Sequence, residues 1–173
     1  TTDPESLGWK SAAVNLSDIA AMGGAPRFCL TALGLPASLA VEDITAFYRG
    51  LHACLRRHRT LLVGGDTCRS RNGLTICVTL LGSAPRRKVV RRSGARPGDL
   101  IFVTGTVGDS AAGLGLLTTG GKGPGARVPG AGKRLIGRQL RPEPRVAWGK
   151  RLAGSGLVTA MIDISDGLAS DLA

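Results

Sequence analysis

Apolar residues recur at helical spacing along residues 6–22, SLGWKSAAVNLSDIAAM, and again along residues 41–58, where Ile44, Phe47, Tyr48, Leu51 and Leu55 share one face. The first pattern predicts a helix with Ser6 as N-cap and Gly23 as its stop. Between the two patterns, RFCLTALGL lies between Pro26 and Pro36 and predicts a strand. TLLVGG (60–65) and GLTICVTLLGSA (73–84) are apolar or β-branched runs of strand length, and so are LIFVTG (100–105) and LVTAMIDI (157–164). Helical patterns return at 108–117, with Asp109 as N-cap, at 142–154, and at 166–173. The stretch 118–133 is rich in Gly and Pro and has no periodic apolar face, so it predicts a mobile loop outside any site. Strands and helices alternate, which places the chain in the α/β or α+β class. No repeat of solenoid period is present.

Composition adds less to this picture than charge does. The 173 residues are 43% hydrophobic but only 3% aromatic, so the core is built from Ala, Val, Ile and Leu. No apolar run reaches the ~18 residues of a membrane span, so no membrane partner is expected. The first residues, TTDPESLGWK, carry no signal segment and no initiator Met, and read like the middle of a protein. Cys29, Cys54, Cys68 and Cys77 form no C-x-x-C pair and are expected to be reduced and mostly buried, as in a cytoplasmic protein. His52 and His58 lie on one Arg-rich predicted helix, which gives little support to a histidine site.

Lys and Arg number 23 against 12 Asp and Glu, a formal net charge of +11. The densest cluster is APRRKVVRRSGARPGD (84–99), in which Arg86, Arg87, Lys88, Arg91, Arg92 and Arg96 have no acid between them. Such a face attracts phosphorylated ligands or nucleic acid, or is simply a solvated loop. The near-absence of aromatic residues argues against a single-strand stacking surface, and no helix-turn-helix or zinc-finger spacing is present.

Four of the acids sit in unusual places. Asp18 lies in a helix that is apolar on most sides, with Asn15 on its own face. Asp66 follows VGG at a strand end, where glycines admit a ligand or another backbone. Asp163 is flanked by Ile162 and Ile164 and shares a strand face with Ser165; Asp166 sits where that strand turns into a helix. Asp166 also reads as an N-cap, Asp66-Thr67 as a turn, and Asp18 as an interhelical hydrogen-bond partner. Carboxylates accompanied by Asn, Ser and Thr, without His or Cys, suit a hard cation. Mg²⁺ takes oxygen ligands and bridges carboxylates to substrate phosphates. The four acids are therefore expected to converge on one cleft, where a cation would keep Asp163 ionised.

GWKSAAVNLSDIAAMGGAPR, LLVGGDT, RRSGARPGDLIFVTGTVGDSAAG and MIDISDGLASDL together resemble the thiamine-monophosphate kinase family, which groups with the aminoimidazole ribonucleotide and selenophosphate synthetases. The resemblance covers nearly the whole chain, in the family's order. It implies an N-terminal mixed sheet with helices, which pairs into a dimeric barrel in the family, followed by part of an α/β C-terminal domain. The corresponding division is 1–92, a partial ATP/Mg-binding domain, and 93–173, the first part of the second domain. It implies ATP as co-substrate, Mg²⁺ as cofactor, thiamine monophosphate as acceptor, and a homodimer. Residue by residue, it implies Asp18, Asp66, Asp163 and Asp166 as metal ligands. It also implies Gly65, Asp66, Arg92 and Ser165 as nucleotide contacts. Tyr48 of FYRG resembles a further nucleotide-contacting position and equally reads as helix packing.

The family's acidic GDDAA-type and TD-x-x-VEGVHF-type segments are not in this chain, and the family continues beyond DISDGL. The chain thus reads as an internal fragment, expected to be poorly active by itself. The mechanism implied needs no His or Cys. A phosphate monoester has a second pKa of about 6 and is already largely dianionic, so alignment and charge neutralisation would suffice. Two alternatives remain open at this point: another ATP-dependent synthetase of the same superfamily, and a basic nucleic-acid-binding module.

Overall fold

The computed structural model describes residues 2–119 and 129–173. Helix α1 (Pro4–Ala21) starts earlier than its apolar pattern indicates. Asp3, not Ser6, is the N-cap: its side chain accepts from the Ser6 N–H at 2.8 Å, and Pro4 fills the first turn, where its missing N–H costs nothing. Ser6 is itself buried at the helix packing surface.

Strand β1 (Ala25–Leu35), helix α2 (Val41–Arg57) and strand β2 (Leu61–Arg69) form a β-α-β crossover, and β3 (Thr75–Ser83) completes a three-stranded sheet of order β2-β1-β3. β1 pairs parallel with β2 and antiparallel with β3. This mixed sheet with helices on one side is the α/β arrangement that the alternating patterns predict. The register of β1 with β2 shifts between Cys29 and Leu30, which leaves Val63 bulged. Cys29, Thr31 and Leu33 of β1 point at α1 and α2. They meet Ala12, Ala13, Leu16, Phe47, Leu51, Cys54 and Leu55 in the core.

The alternate residues of β1, Phe28 and Ala32, face the other way with Leu61, Leu81 and Cys77, and no helix covers them. This corrects the expectation for the thiols. Cys29 and Cys54 are buried on the helical side, whereas Cys68 and Cys77 are exposed, because Gly34 and Ala32 set them on the open face.

The basic stretch forms two 3₁₀ turns, Arg86–Lys88 and Arg92–Gly94. Helices α3 (Asp109–Thr118), α4 (Pro129–Leu140), α5 (Val146–Ser155) and α6 (Leu168–Leu172) follow. α5 packs on α1 at close range, since a Cβ on Gly149 would lie 2.0 Å from the Ala20 carbonyl oxygen.

Several expectations are corrected in this half. Gly108, in the left-handed region at φ 87°, is the N-cap of α3. Asp109 is instead the first helical residue, accepts from Thr106 Oγ1 at 2.6 Å, and pairs with Arg138. Residues 129–133, expected as loop, begin α4; residues 120–128 lie outside the described residues. The helical pattern read at 142–154 starts at Val146 rather than at Pro142.

The segments 100–105 and 157–164 are not strands. Leu100, Ile101, Phe102 and Leu157 stand largely exposed. Strand propensity becomes a strand only when a neighbour supplies hydrogen-bond partners, and among the described residues these segments have none. No helix among them is long and apolar enough to cross a membrane.

Candidate functional site

An open cleft of about 1280 Å³ lies between the end of α1, the second 3₁₀ turn, the 99–109 segment, α5 and the 157–173 segment. Arg92 and Asp163 both line it. The RRSGA turn reaches this position through close backbone contact, since a Cβ on Gly94 would lie 2.1 Å from the Thr159 carbonyl oxygen. Asp99 locks the same junction. Its carboxylate accepts from Thr159 Oγ1 at 2.6 Å and from the Arg96 N–H at 2.9 Å. The Thr159 bond, then the Arg96 amide, holds the Asp99 carboxyl below the usual carboxylate range. Sequence reasoning takes ARPGD only as a turn; the aspartate closing it is the signal that this turn has a partner to hold.

Asp18, on α1, is largely exposed and does not itself line the cleft, although its neighbours Ser17, Ala20 and Ala21 do. Partial burial, followed by the nearby charge of Asp163, pushes its carboxyl above the ordinary value of 3.8. Asp163 is thus near enough for its charge to act on Asp18, although the two are 145 positions apart in the sequence. Their repulsion is the condition a cation relieves. An all-oxygen pair fits Mg²⁺, which is held by one or two carboxylates together with phosphate oxygens. Among the described residues no group of three or more His, Cys, Asp or Glu that could hold a metal ion is assembled.

The remaining expected residues stand elsewhere. Asp66 pairs in register with Ala32, on the sheet face opposite α1, and its Oδ1 accepts from the Thr67 N–H at 2.8 Å. Gly65 lies against β1 so closely that a Cβ would sit 1.9 Å from the Thr31 carbonyl oxygen. Ser165 and Asp166 have exposed side chains in the loop before α6. Tyr48 packs edge-on against Phe47, with ring centroids 5.5 Å apart, and does not line the cleft. Helix packing thus accounts for its place. Asp171, which the sequence reading passes over, accepts hydrogen bonds from three consecutive amides of the DISDG loop.

The displaced pKa of Asp18 gives a stability prediction. A carboxyl with a raised folded-state pKa binds its proton more tightly in the native chain, so ionisation at neutral pH weakens the fold. Asp18→Asn in EDTA is therefore expected to raise the melting temperature at pH 7. The advantage should shrink on acidification and vanish below the unfolded value of 3.8. A variant less stable than wild type at pH 7 would show that Asp18 is not under electrostatic stress.

The comparisons with known proteins agree with the motif reading. Residues 1–84 match the family described as AIR synthase related protein, N-terminal domain. The thiamine-monophosphate kinase of Bacillus subtilis (strain 168) is 42% identical over 171 residues, 99% of this chain and 52% of that protein. The solved thiamine monophosphate kinase of Aquifex aeolicus superposes with a TM-score of 0.86 at 39% identity, over 100% of this chain and 57% of its own. A complex of AaThiL with AMPPCP and TMP gives a TM-score of 0.86 at 38% identity, over 99% of this chain and 52% of its own. The chain spans about half the length of the curated relatives it matches.

Proposed function

We propose that this chain, similar along nearly its whole length to the thiamine-monophosphate kinases, serves ATP- and Mg²⁺-dependent phosphoryl transfer to thiamine monophosphate, giving thiamine diphosphate. The observation that carries the reading is the AaThiL complex. A fold of TM-score 0.86 over 99% of this chain holds AMPPCP, whose bridging methylene blocks transfer, together with TMP.

In this reading residues 1–92 form the ATP/Mg-binding unit and 93–173 the beginning of a second unit. The cleft described above is their junction. Asp18 and Asp163 would hold the cation, with Asp66 and Asp166 as further ligands. Arg92 meets the nucleotide phosphates from the cleft wall. Gly65 and Ser165 are the remaining nucleotide contacts. Bound Mg²⁺ neutralises charge on the phosphate oxygens. The chain's own part is alignment, because the acceptor dianion needs no base.

The uncovered sheet face supports a homodimer. Phe28, Leu61 and Leu81 are each 44–63% exposed on one contiguous apolar surface, with Cys77 among them. A thiol assay tests this. Cys54, pushed up to about 12 by burial, should resist a disulfide reagent at every protein concentration. Cys68 and Cys77 should react quickly in dilute protein and slowly in concentrated protein. Rates for Cys77 that do not change with concentration would argue against association through this face. Exposed free thiols also suit a reducing compartment, and we place the protein in the cytoplasm.

The direct test is conversion of thiamine monophosphate by ATP in the full-length enzyme, abolished by EDTA. Turnover of ATP with a different acceptor would favour another synthetase of the superfamily. Salt-sensitive DNA binding without Mg²⁺ would favour the nucleic-acid reading.

A further inference from the structure

The loop that carries Asp163, Ser165 and Asp166 has no strand to hold it, because 157–164 is unpaired and α6 is only five residues long. Its backbone is nevertheless tied at one point. A single oxygen of Asp171, Oδ2, accepts from the N–H of Ser165 at 3.0 Å, of Asp166 at 3.2 Å and of Gly167 at 3.1 Å. The Asp171 N–H in turn donates to the Gly167 carbonyl at 2.9 Å, so side chain and backbone close the loop from both sides. Gly167 takes φ 125°, a value disfavoured for residues with a side chain, and this lets the third amide turn toward the carboxylate. Asp171 is half-buried and lines the same cleft as Asp163 and Arg92.

The donor geometry decides what Asp171 does. Three amide protons converge on one carboxylate oxygen, and charge-assisted bonds of this kind are stronger than neutral ones. That oxygen is occupied by the loop and is not aimed at a ligand. We infer that Asp171 is a positioning residue: it fixes the backbone of residues 165–167 and so sets where Asp163 and Asp166 present their carboxylates to a Mg²⁺-nucleotide. This inference rests on the proposed function for the identity of the ligand. Its structural half, the three amide bonds, stands independently of it.

The residue is not a ligand in this account, and it acts through the loop. Outer-shell partners of metal ligands typically change metal affinity by 10–100-fold when removed. Asp171→Ala removes the acceptor. Asp171→Asn keeps one side-chain oxygen able to receive the same amides, without the charge.

The test uses the full-length protein and three readouts: amide hydrogen exchange at residues 165–167, Mg²⁺-ATP affinity by calorimetry, and the melting temperature. Asp171→Ala is expected to accelerate exchange at all three amides and to weaken Mg²⁺-ATP binding by about tenfold. The melting temperature should stay unchanged, because the loop and α6 bury no core residue. Asp171→Asn is expected to recover most of the affinity. Unchanged exchange in Asp171→Ala overturns the inference, and so does accelerated exchange with wild-type affinity. A fall in melting temperature that tracks the loss of affinity in both variants makes the residue a purely structural one and overturns it too. A wild-type protein that binds no Mg²⁺-ATP at all would overturn the proposed function, and the positioning role with it.

Discussion

Under the proposed function, replacing Asp163 by alanine in the full-length protein is expected to lower thiamine monophosphate phosphorylation by about 100-fold or more, the scale of losing one aligned electrostatic contact to a transition state. The loss should fall on kcat, because phosphate charge needs neutralising most while the phosphoryl group is in transit. Asp163 suits the role by place as well as by type. It lines the cleft beside Arg92, and its charge is felt by Asp18 on a helix from the other end of the chain. Asp163→Ala is also expected to relieve that repulsion and return the Asp18 carboxyl toward its ordinary value. Activity and the Asp18 titration should therefore change together, and the second can be followed by carboxyl-detected NMR in the metal-free protein. Steady-state rates within fivefold of wild type would remove Asp163 from the site.

The second large effect is expected where α1 crosses α2. A Cβ on Gly50 would lie 1.8 Å from the Glu5 carbonyl oxygen, and one on Gly8 1.9 Å from that of Phe47. The two backbones touch reciprocally, and the contact sets the spacing over which Leu16, Leu51 and Leu55 close the core. Two effects oppose each other in Gly50→Ala. Helix propensity favours alanine by about 1 kcal/mol. Separating two packed helices costs about 1–3 kcal/mol, and more where the obstruction is backbone that cannot rotate away. The obstruction here is a carbonyl, so the steric cost wins. A net loss of about 2 kcal/mol is expected for either glycine alone. Gly115 and Gly137 are the controls. Both lie inside helices with nothing within 4 Å of a new Cβ, so alanine there should be neutral or stabilising. Urea denaturation of the four variants measures this. Gly50→Ala at wild-type stability would mean that the helices do not cross so closely.

The two predictions rest on different kinds of legibility. Helices α1 and α2 and strands β1 to β3 are readable from the chain because their apolar periodicity is local and their ends carry Pro, Gly or capping residues. Pro4, Gly23, Pro36 and Gly73 punctuate the first half at short intervals. The acids proposed to hold a cation are singled out by residue type and neighbours: Asp163 stands between two isoleucines, which the structure leaves exposed in an unpaired segment. Asp18 is harder, since only its apolar neighbours mark it. Asp171 leaves no signal in the pattern, because the amides it binds belong to a loop whose shape no spacing rule describes.

What the sequence determines by itself is therefore the α/β class and the first half of the fold, together with the motifs that carry its resemblance to the thiamine-monophosphate kinases. Each of these depends on residues near one another in the chain or on residue type alone. The tertiary structure decides the rest. It places 100–105 and 157–164 outside any sheet, because a strand exists only through a neighbour. It leaves Cys68 and Cys77 exposed, because burial on a sheet depends on which face the helices cover. It turns Asp66 to the face opposite α1, because the pairing register of β1 with β2, and not the order of motifs, assigns each side chain its side. Contacts between distant residues depend on how elements pack, and packing depends on the whole set of faces at once.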